Sequence, residues 1–374
     1  MRDDIFLIGS GLTRFGEWWE KSLRDLLEEA VNAALQSSRL SPLEIDLVVI
    51  ANMLAEVTNN QANLGALASS LLPHHPPALR VEAACGSGAL ALHTACAFLE
   101  SERAQTVLVL GAEKMTDVSG DMISHALMGA ADSELDAPSG LTFPGIFGLI
   151  AKRYMHEFRL TREKLSIVSA VHHKNAMKNP YAQFQQELSP EAVSGSPLVA
   201  DPLRLFDCSP VSDGAAACIL SRVHRSPLRI AASQVTSDTL SIAERPTLVS
   251  FPATREAMNR ALSEAHIERS DIRVLETHDC FSIAAVINME DLGFAESGEG
   301  IRLYEDLYKN RAELFVNMSG GLKACGHPVA ATGLKQLIDV GKNLTHTSTP
   351  YGLAHNFGGA GATCGIHIVQ NITA

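Results

Sequence analysis

No apolar segment of this 374-residue chain approaches the roughly 20 residues that a membrane-spanning helix needs, which excludes a helical integral membrane protein. Dense Lys/Arg runs are also missing. Thirty basic residues against forty-two acidic ones leave a net charge of −12, so neither nucleic acid nor an anionic membrane surface is an expected partner. The seven cysteines have no framework spacing, which excludes a secreted disulfide scaffold and points to free thiols in a reduced, cytoplasmic setting. The opening Met1-Arg2-Asp3-Asp4 carries two acids before a short apolar stretch and does not read as a signal peptide. With 46% hydrophobic and 19% charged residues, disordered and fibrous classes are out. What remains is a soluble α/β enzyme of two or three domains, at roughly 150 residues per domain.

Strand and helix signals alternate from the start. Ile5–Ile8 is an apolar run that ends at Gly9, and Leu23, Leu26, Leu27, Ala30, Val31, Ala34 and Leu35 form one helical face that Ser22 and Asp25 can cap. Leu47–Ile50, Leu79–Val81 and Thr106–Leu110 read as strands, with an Ala/Leu-rich helix over 87–99. Between about 115 and 205 the rhythm breaks into scattered Gly and Pro, with helices near 145–158 and 161–178; this reads as a functional insertion covering a site. Regular structure resumes with Asp213-Gly214-Ala215-Ala216-Ala217, and Ser226-Pro227 reads as a hinge. The second half repeats the grammar: strands at 228–232, 272–276, 314–317, 351–355 and 364–370, and helices at 252–265, from Ser282, and near 329–342. The expected division is therefore 1–225 and 226–374, and Ala84-Cys85-Gly86 is echoed by Ala324-Cys325-Gly326.

Four segments carry chemistry. Cys85, between a strand and a small-residue helix, stands where helix amides favour thiolate and form an oxyanion hole, although this motif alone fits a buried structural cysteine equally well. His327, held between Gly326 and Pro328, suits a base or oxyanion donor. His278-Asp279-Cys280-Phe281 follows a strand end, where catalytic side chains gather in α/β proteins. His355-Asn356-Phe357-Gly358-Gly359 permits close backbone approach. No metal is expected, because H-x-C and C-x-H are not recurrent zinc spacings. Gly9-x-Gly11 fails as a dinucleotide fingerprint because Arg14 replaces the third glycine. His93, His125, His172 and His173 read as packing or surface residues, and Cys96, Cys208, Cys218 and Cys364 as core fillers.

In this order, and over nearly the whole chain, these motifs resemble the thiolase superfamily. The His278-Asp279-Cys280-Phe281 form is similar to the sterol-carrier-protein-type thiolases, and Thr142–Gly145, Tyr154–Glu157 and Asn179–Phe184 resemble their archaeal and bacterial relatives. Ala330 stands where a Gly is usual. The resemblance implies an α/β thiolase fold: duplicated βαβαβαββ halves in a five-layer αβαβα core with an inserted loop domain.

It also implies an acetyl-CoA acetyltransferase-type acyltransferase of lipid metabolism that uses coenzyme A and acyl-CoA as substrates, with no tightly bound cofactor. In this scheme Cys85 becomes acylated, either cleaving a 3-ketoacyl-CoA or condensing acetyl-CoA to acetoacetyl-CoA. His327 activates Cys85, Cys280 moves the α-carbon proton, and His278 with His327 or a water holds the enolate oxygen. His355, Phe357, Gly358 and Gly359 form the oxyanion and glycine loop, and Ser319 and Gly320 contact CoA. Typical thiolases carry a second catalytic cysteine before the glycine loop, where this chain has His355, so His355 competes with Cys280 for the second acid/base role. A homodimer or homotetramer and a small OB-fold, zinc-ribbon partner are further implications. The rivals are a thiolase-like aldolase, which an intact Cys85 disfavours, and a ketoacyl synthase, which the extra thiol of Cys280 disfavours.

Overall fold

Two sets of five strands with the same internal order build the core of the structure, a computed structural model that describes residues 4–374. Met1–Asp3, on which the reading of the N-terminus partly rests, lie outside the described residues. The first half runs β1 (Ile5–Leu12), α1 (Leu23–Ser38), β2 (Leu47–Ala51), α2 (Ala55–Thr58), α3 (Leu64–Ser69), β3 (Ala78–Val81), α4 (Ser87–Glu100) and β4 (Thr106–Glu113). A long insertion follows: α5 (Gly120–Leu127), α6 (Phe143–Phe158), α7 (Arg162–Ala176), α8 (Pro190–Gly195) and the small hairpin β5 (Leu198–Ala200) and β6 (Leu203–Arg204). β7 (Gly214–Ser221) closes the half. The second half comprises β8 (Leu228–Ser237), α9 (Pro252–Ala265), β9 (Ile272–Glu276), α10 (Ser282–Asp291) and α11 (Gly300–Tyr308). It continues through β10 (Phe315–Val316), α12 (Gly321–Cys325), α13 (Thr332–Thr347), β11 (Tyr351–Gly358) and β12 (Thr363–Asn371).

The strands are ordered β3-β2-β4-β7-β1 in one half and β10-β9-β11-β12-β8 in the other. In each, the two outermost pairs are parallel and the two inner pairs antiparallel. Order and direction match strand for strand, which is the duplication that the repeated grammar implies. The halves meet edge to edge through Ile5 with Ile230 and Phe6 with Arg229.

Helix layers follow from which faces are apolar. Ser22 caps α1 through a reciprocal pair with Asp25, and Leu26, Leu27, Ala30 and Ala34 bury one face against the first half's strands. Each buried Leu is worth about 1.5–3 kcal/mol. The central helices α4 and α13 lie between the sheets and share one apolar core with strands of both. Helices α9 and α10, with α6 and α7 of the insertion, cover the far side. The result is the five-layer αβαβα arrangement.

Local departures from the sequence reading have physical causes. Strand β1 does not stop at Gly9 but runs on to Leu12. The glycines mark close approach to α1, since a Cβ on Gly11 would lie 2.0 Å from the Ala30 carbonyl oxygen. Helix α11 has no counterpart in the expected elements, and β10 keeps only two of the four residues expected at 314–317. No helix of the described residues is long and apolar enough to cross a membrane.

Candidate active site

Cys85 is presented by a strained loop. Ala84, just before it, adopts φ +50, a left-handed conformation that costs a non-glycine residue roughly 1–2 kcal/mol. Ser87 holds it there: its hydroxyl accepts from the Ala83 N–H (2.9 Å) and donates to the Ala84 carbonyl (2.6 Å). The glycine loop presses on the same turn, and a Cβ on Gly358 would meet the Ala83 oxygen at 2.1 Å, so only glycine fits. The backbone N–H groups of Cys85 and Gly359 both reach the Cys85 sulfur.

Helix-terminal placement does not make a resting thiolate. Burial pushes the Cys85 thiol up to about 12, and the Glu113 carboxylate adds to that shift. A thiol held in this way can act as a nucleophile only if a base takes its proton.

Two imidazoles stand beside it. The reactive atoms of Cys85, His278 and His327 lie within 4.8 Å of one another, with the two imidazole rings 5.0 Å apart and edge to face. His327 Nδ1 is 2.7 Å from the Thr332 hydroxyl, which donates to the Pro328 carbonyl (3.2 Å). The hydroxyl hydrogen is thus committed, Nδ1–H donates to Thr332, and Nε2 is left as a buried lone pair without a partner. Burial lowers the ring to about 4, so it stands neutral and ready to accept a proton.

The loop that carries His327 is clamped by the insertion. His327 N–H donates to Ser212 Oγ (3.0 Å), which donates to Gln183 Oε1 (2.6 Å). Gln183 and Phe184 N–H groups donate to the carbonyls of Cys325 and Ala324. From the other side, Asp279 accepts from the Leu322 N–H (2.8 Å) and pairs with His172 (2.8 Å) and Lys323 (3.6 Å). Burial pushes the Asp279 carboxyl up, but His172 and Lys323 outweigh it and hold the group well below the usual carboxylate range. His172 is thus a fully buried residue that sits against Asp279, not a surface one.

A cavity of about 210 Å³ rises above these groups. It is lined by Cys85, Cys280, His327 and Gly359, by the apolar Met115, Ile123, Phe143 and Phe147, and by Ser209–Val211, and His278 is not among its lining residues. Phe147, on α6, stacks on Phe281 at 4.4 Å, which ties the insertion to the strand end that carries His278. Cys280 faces the cavity with its thiol pushed well above the ordinary range by burial and by Cys85. Cys208 lines the cavity as well and is not a simple core filler.

Some expected residues are not brought to the cavity. His355 is fully buried behind it: its Nδ1 accepts from the His278 N–H (3.3 Å) and its Nε2 meets Thr254 Oγ1 (3.0 Å). The next residue on β11, Asn356, points to the opposite face and reaches the His278 ring, and the sequence reading passed over it. The alternation of side chains along a strand was the signal available. Phe357 packs its ring on His278 at 4.2 Å. Ser319 hydrogen-bonds Glu276 (2.7 Å) and Lys335 (2.8 Å), and Gly320 abuts Ala176, so neither faces the cavity.

A cysteine with a neutral imidazole base, backbone donors for an oxyanion and an apolar cavity defines an acyl-transfer site. The chain belongs to the thiolase family: residues 5–224 match the thiolase N-terminal domain and residues 234–371 the thiolase C-terminal domain-like family. It is 40% identical to an acetyl-CoA acetyltransferase of Methanothermobacter thermautotrophicus, over 98% of this chain and 99% of that protein. It is 30% identical to sterol carrier protein 2 of Bos taurus, over 97% of this chain and 71% of that protein. Among solved structures, the Ltp2-ChsH2(DUF35) aldolase superposes with a TM-score of 0.84 at 21% identity, covering 99% of this chain and 98% of that one. Human mitochondrial 3-ketoacyl-CoA thiolase in complex with CoA superposes with a TM-score of 0.78 at 18% identity, with the same coverage. The protein is a CoA-dependent thiolase and an acyltransferase.

Proposed function

We propose a division of labour in which Cys85 is acylated, His327 takes its proton, His278 holds the enolate oxygen and Cys280 transfers the α-carbon proton. The observation that carries this reading is the convergence of the reactive atoms of Cys85, His278 and His327 within 4.8 Å, beside a cavity that Cys85, His327 and Cys280 line.

In the cleavage direction, His327 Nε2 accepts the Cys85 proton as sulfur attacks the 3-keto carbon of a 3-ketoacyl-CoA. The N–H groups of Cys85 and Gly359 stabilise the oxyanion, each such donor being worth roughly 3 kcal/mol of barrier. Breaking the C–C bond leaves an enolate of the departing acetyl-CoA, held by His278 and protonated at carbon by Cys280. A second CoA thiol then gives its proton to the Cys280 thiolate as its sulfur takes the acyl group, and His327 returns its proton to the departing Cys85 sulfur. In the condensing direction the steps reverse: Cys280 as thiolate removes the α-proton of acetyl-CoA, and the carbanion attacks acetyl-Cys85.

Intact-protein mass after incubation with acetyl-CoA or acetoacetyl-CoA tests the reading. An acetyl adduct that disappears in Cys85→Ala supports it, and an unchanged adduct in that variant overturns it. CoA and acyl-CoA act as substrates in this scheme, with no tightly bound cofactor, and their adenosine end crosses the insertion. An aldolase reading gains support from the 0.84 superposition alone; the intact Cys85–His327 pair favours acyl transfer.

The proposal extends to assembly and setting. Strand β3 ends the sheet with its four residues half-buried and no strand beyond it among the described residues, an edge suited to pairing with a second copy. A homodimer or homotetramer in the cytoplasm, with domains 1–225 and 226–374, completes the reading, and a monomer at micromolar concentration by light scattering would sink the oligomer. A small OB-fold, zinc-ribbon partner is the further proposal, supported by the DUF35 component of the aldolase neighbour and tested by co-purification.

A further inference from the structure

His278 is pinned on one side of its ring only. Its Nδ1 lies 2.9 Å from Asn356 Nδ2, its carbonyl accepts from Asn288 (2.7 Å), and its Nε2 is buried without a partner. Asn356 is 1% exposed, and its amide orientation is set from the far side: Oδ1 accepts from the Ala89 N–H (3.3 Å) near the start of α4, the helix that follows Cys85. With the amide oxygen taken, the NH2 group faces the imidazole, so Nδ1 must accept. A neutral ring that accepts at Nδ1 carries its proton on Nε2.

We propose that Asn356 is a positioning residue that fixes His278 in the Nε2–H tautomer, so that the ring donates to the enolate oxygen of the bound thioester. The inference rests on the role given to His278 above. Burial, with His327 and His355 beside it, keeps the His278 ring uncharged, so Asn356 selects between two neutral forms.

The neighbouring ring is set the other way. Thr332 engages His327 Nδ1–H and leaves Nε2 as an acceptor. With both Nδ1 atoms engaged elsewhere, the nitrogens free to face Cys85 are the two Nε2 atoms: one is a donor and the other a base. Two rings in the same tautomer would give two bases or two donors. Complementary second partners, an amide NH2 for His278 and a hydroxyl for His327, supply one of each.

The test pairs a tautomer measurement with a split of the two half-reactions. In 15N-histidine NMR of the wild-type protein, the His278 resonances, assigned by their loss in His278→Gln, should report a protonated Nε2 and a bare Nδ1. In Asn356→Asp the carboxylate accepts from the ring, and Nδ1 should become the protonated nitrogen. The ratio of the condensation rate to the Cys85 acylation rate should fall about 10²-fold in Asn356→Asp and Asn356→Ala, the scale of one lost oxyanion donor. An unchanged ratio in both folded variants overturns the inference, as does a wild-type His278 protonated at Nδ1. If the variants fail to fold, the wild-type spectrum decides alone. Wild-type protein that is not acylated at Cys85 would count against the thiolase roles themselves, a separate failure.

Discussion

Ala84-Cys85-Gly86 and Ala324-Cys325-Gly326 occupy matching places in the two halves, each after the third core strand and before the central helix, α4 or α13. Burial pushes both thiols up to about 12. Their surroundings differ. Cys85 opens onto the cavity with two unpartnered imidazole nitrogens nearby. Cys325 is fully buried with Ala176, Ala182 and Ala324, lies 3.1 Å from Asn179 Nδ2 and donates to the Ser319 carbonyl (3.4 Å). Acidity does not separate the two thiols; what separates them is a base within reach of one and not the other. In the second half the same turn serves another end: it presents His327, two residues on, to the cysteine of the first.

The largest expected effect tests that contrast directly. Cys85→Ala should abolish both the acyl adduct and turnover. Cys325→Ala should keep both near wild type and cost about 1 kcal/mol of stability, the scale of deleting one buried heavy atom, as read by denaturant unfolding. Adduct formation in the first variant, or its loss in a folded second, would erase the distinction. His327→Ala comes next. Because the Cys85 proton has to be removed during attack, stopped-flow acylation should slow by about 10³-fold, within the range of general-base catalysis. A rate within tenfold of wild type would mean that Cys85 ionises without this imidazole.

Cys280 sets up a smaller contrast within the second half. Cys280→Ala should leave Cys85 acylation intact while condensation and thiolysis fall about 10²-fold. His355→Ala should change turnover only a few-fold, because that ring is engaged by the His278 N–H and Thr254 and does not line the cavity. Near-normal turnover in Cys280→Ala together with loss in His355→Ala would exchange their roles.

The parts of the molecule that local rules govern were legible in the sequence. The spacing of Leu23 to Ala34 and the Ser22/Asp25 box mark α1 with no tertiary information, because a helix face and its cap are neighbours along the chain. Cys85, Cys280 and His327 stand out because each occupies a turn at an element's end, and the structure brings all three to one cavity. What was not legible depends on contacts distant in sequence. Asn356 acquires its role from Ala89 and His278, 267 and 78 positions away. His172 finds its partner Asp279 only once α7 packs on the strand-end loop. The thiolate expected at Cys85 from the helix terminus alone is reversed by burial, which a local motif does not encode.

Glu113 supplies the smallest and most specific contrast, since it acts on Cys85, whereas Lys335, Asp339 and Glu276 act on Cys325. It ends β4 fully buried, accepting from Asn52 Nδ2 (3.0 Å) and from the N–H groups of Met53 (2.6 Å) and Leu54 (3.2 Å). Burial raises its carboxyl to about 8, against the pull of those donors and of Arg80. At neutral pH the group is therefore mostly protonated; above about 8 it ionises and adds a negative charge that disfavours the Cys85 thiolate. His327 sets the other limb, since it loses its lone pair only as pH falls through about 4. The acylation rate, measured in single turnover, should rise through about pH 4, stay level to about 8, and then drift down about threefold. Glu82 also acts on Cys85, as the smallest of its influences, and is exposed, so solvent screens its charge. In Glu113→Gln the downward drift should vanish while the acid limb stays in place. A wild-type profile that remains level or climbs above pH 8, or an identical drift in Glu113→Gln, would remove Glu113 from the electrostatics of the nucleophile and leave burial alone to hold its proton.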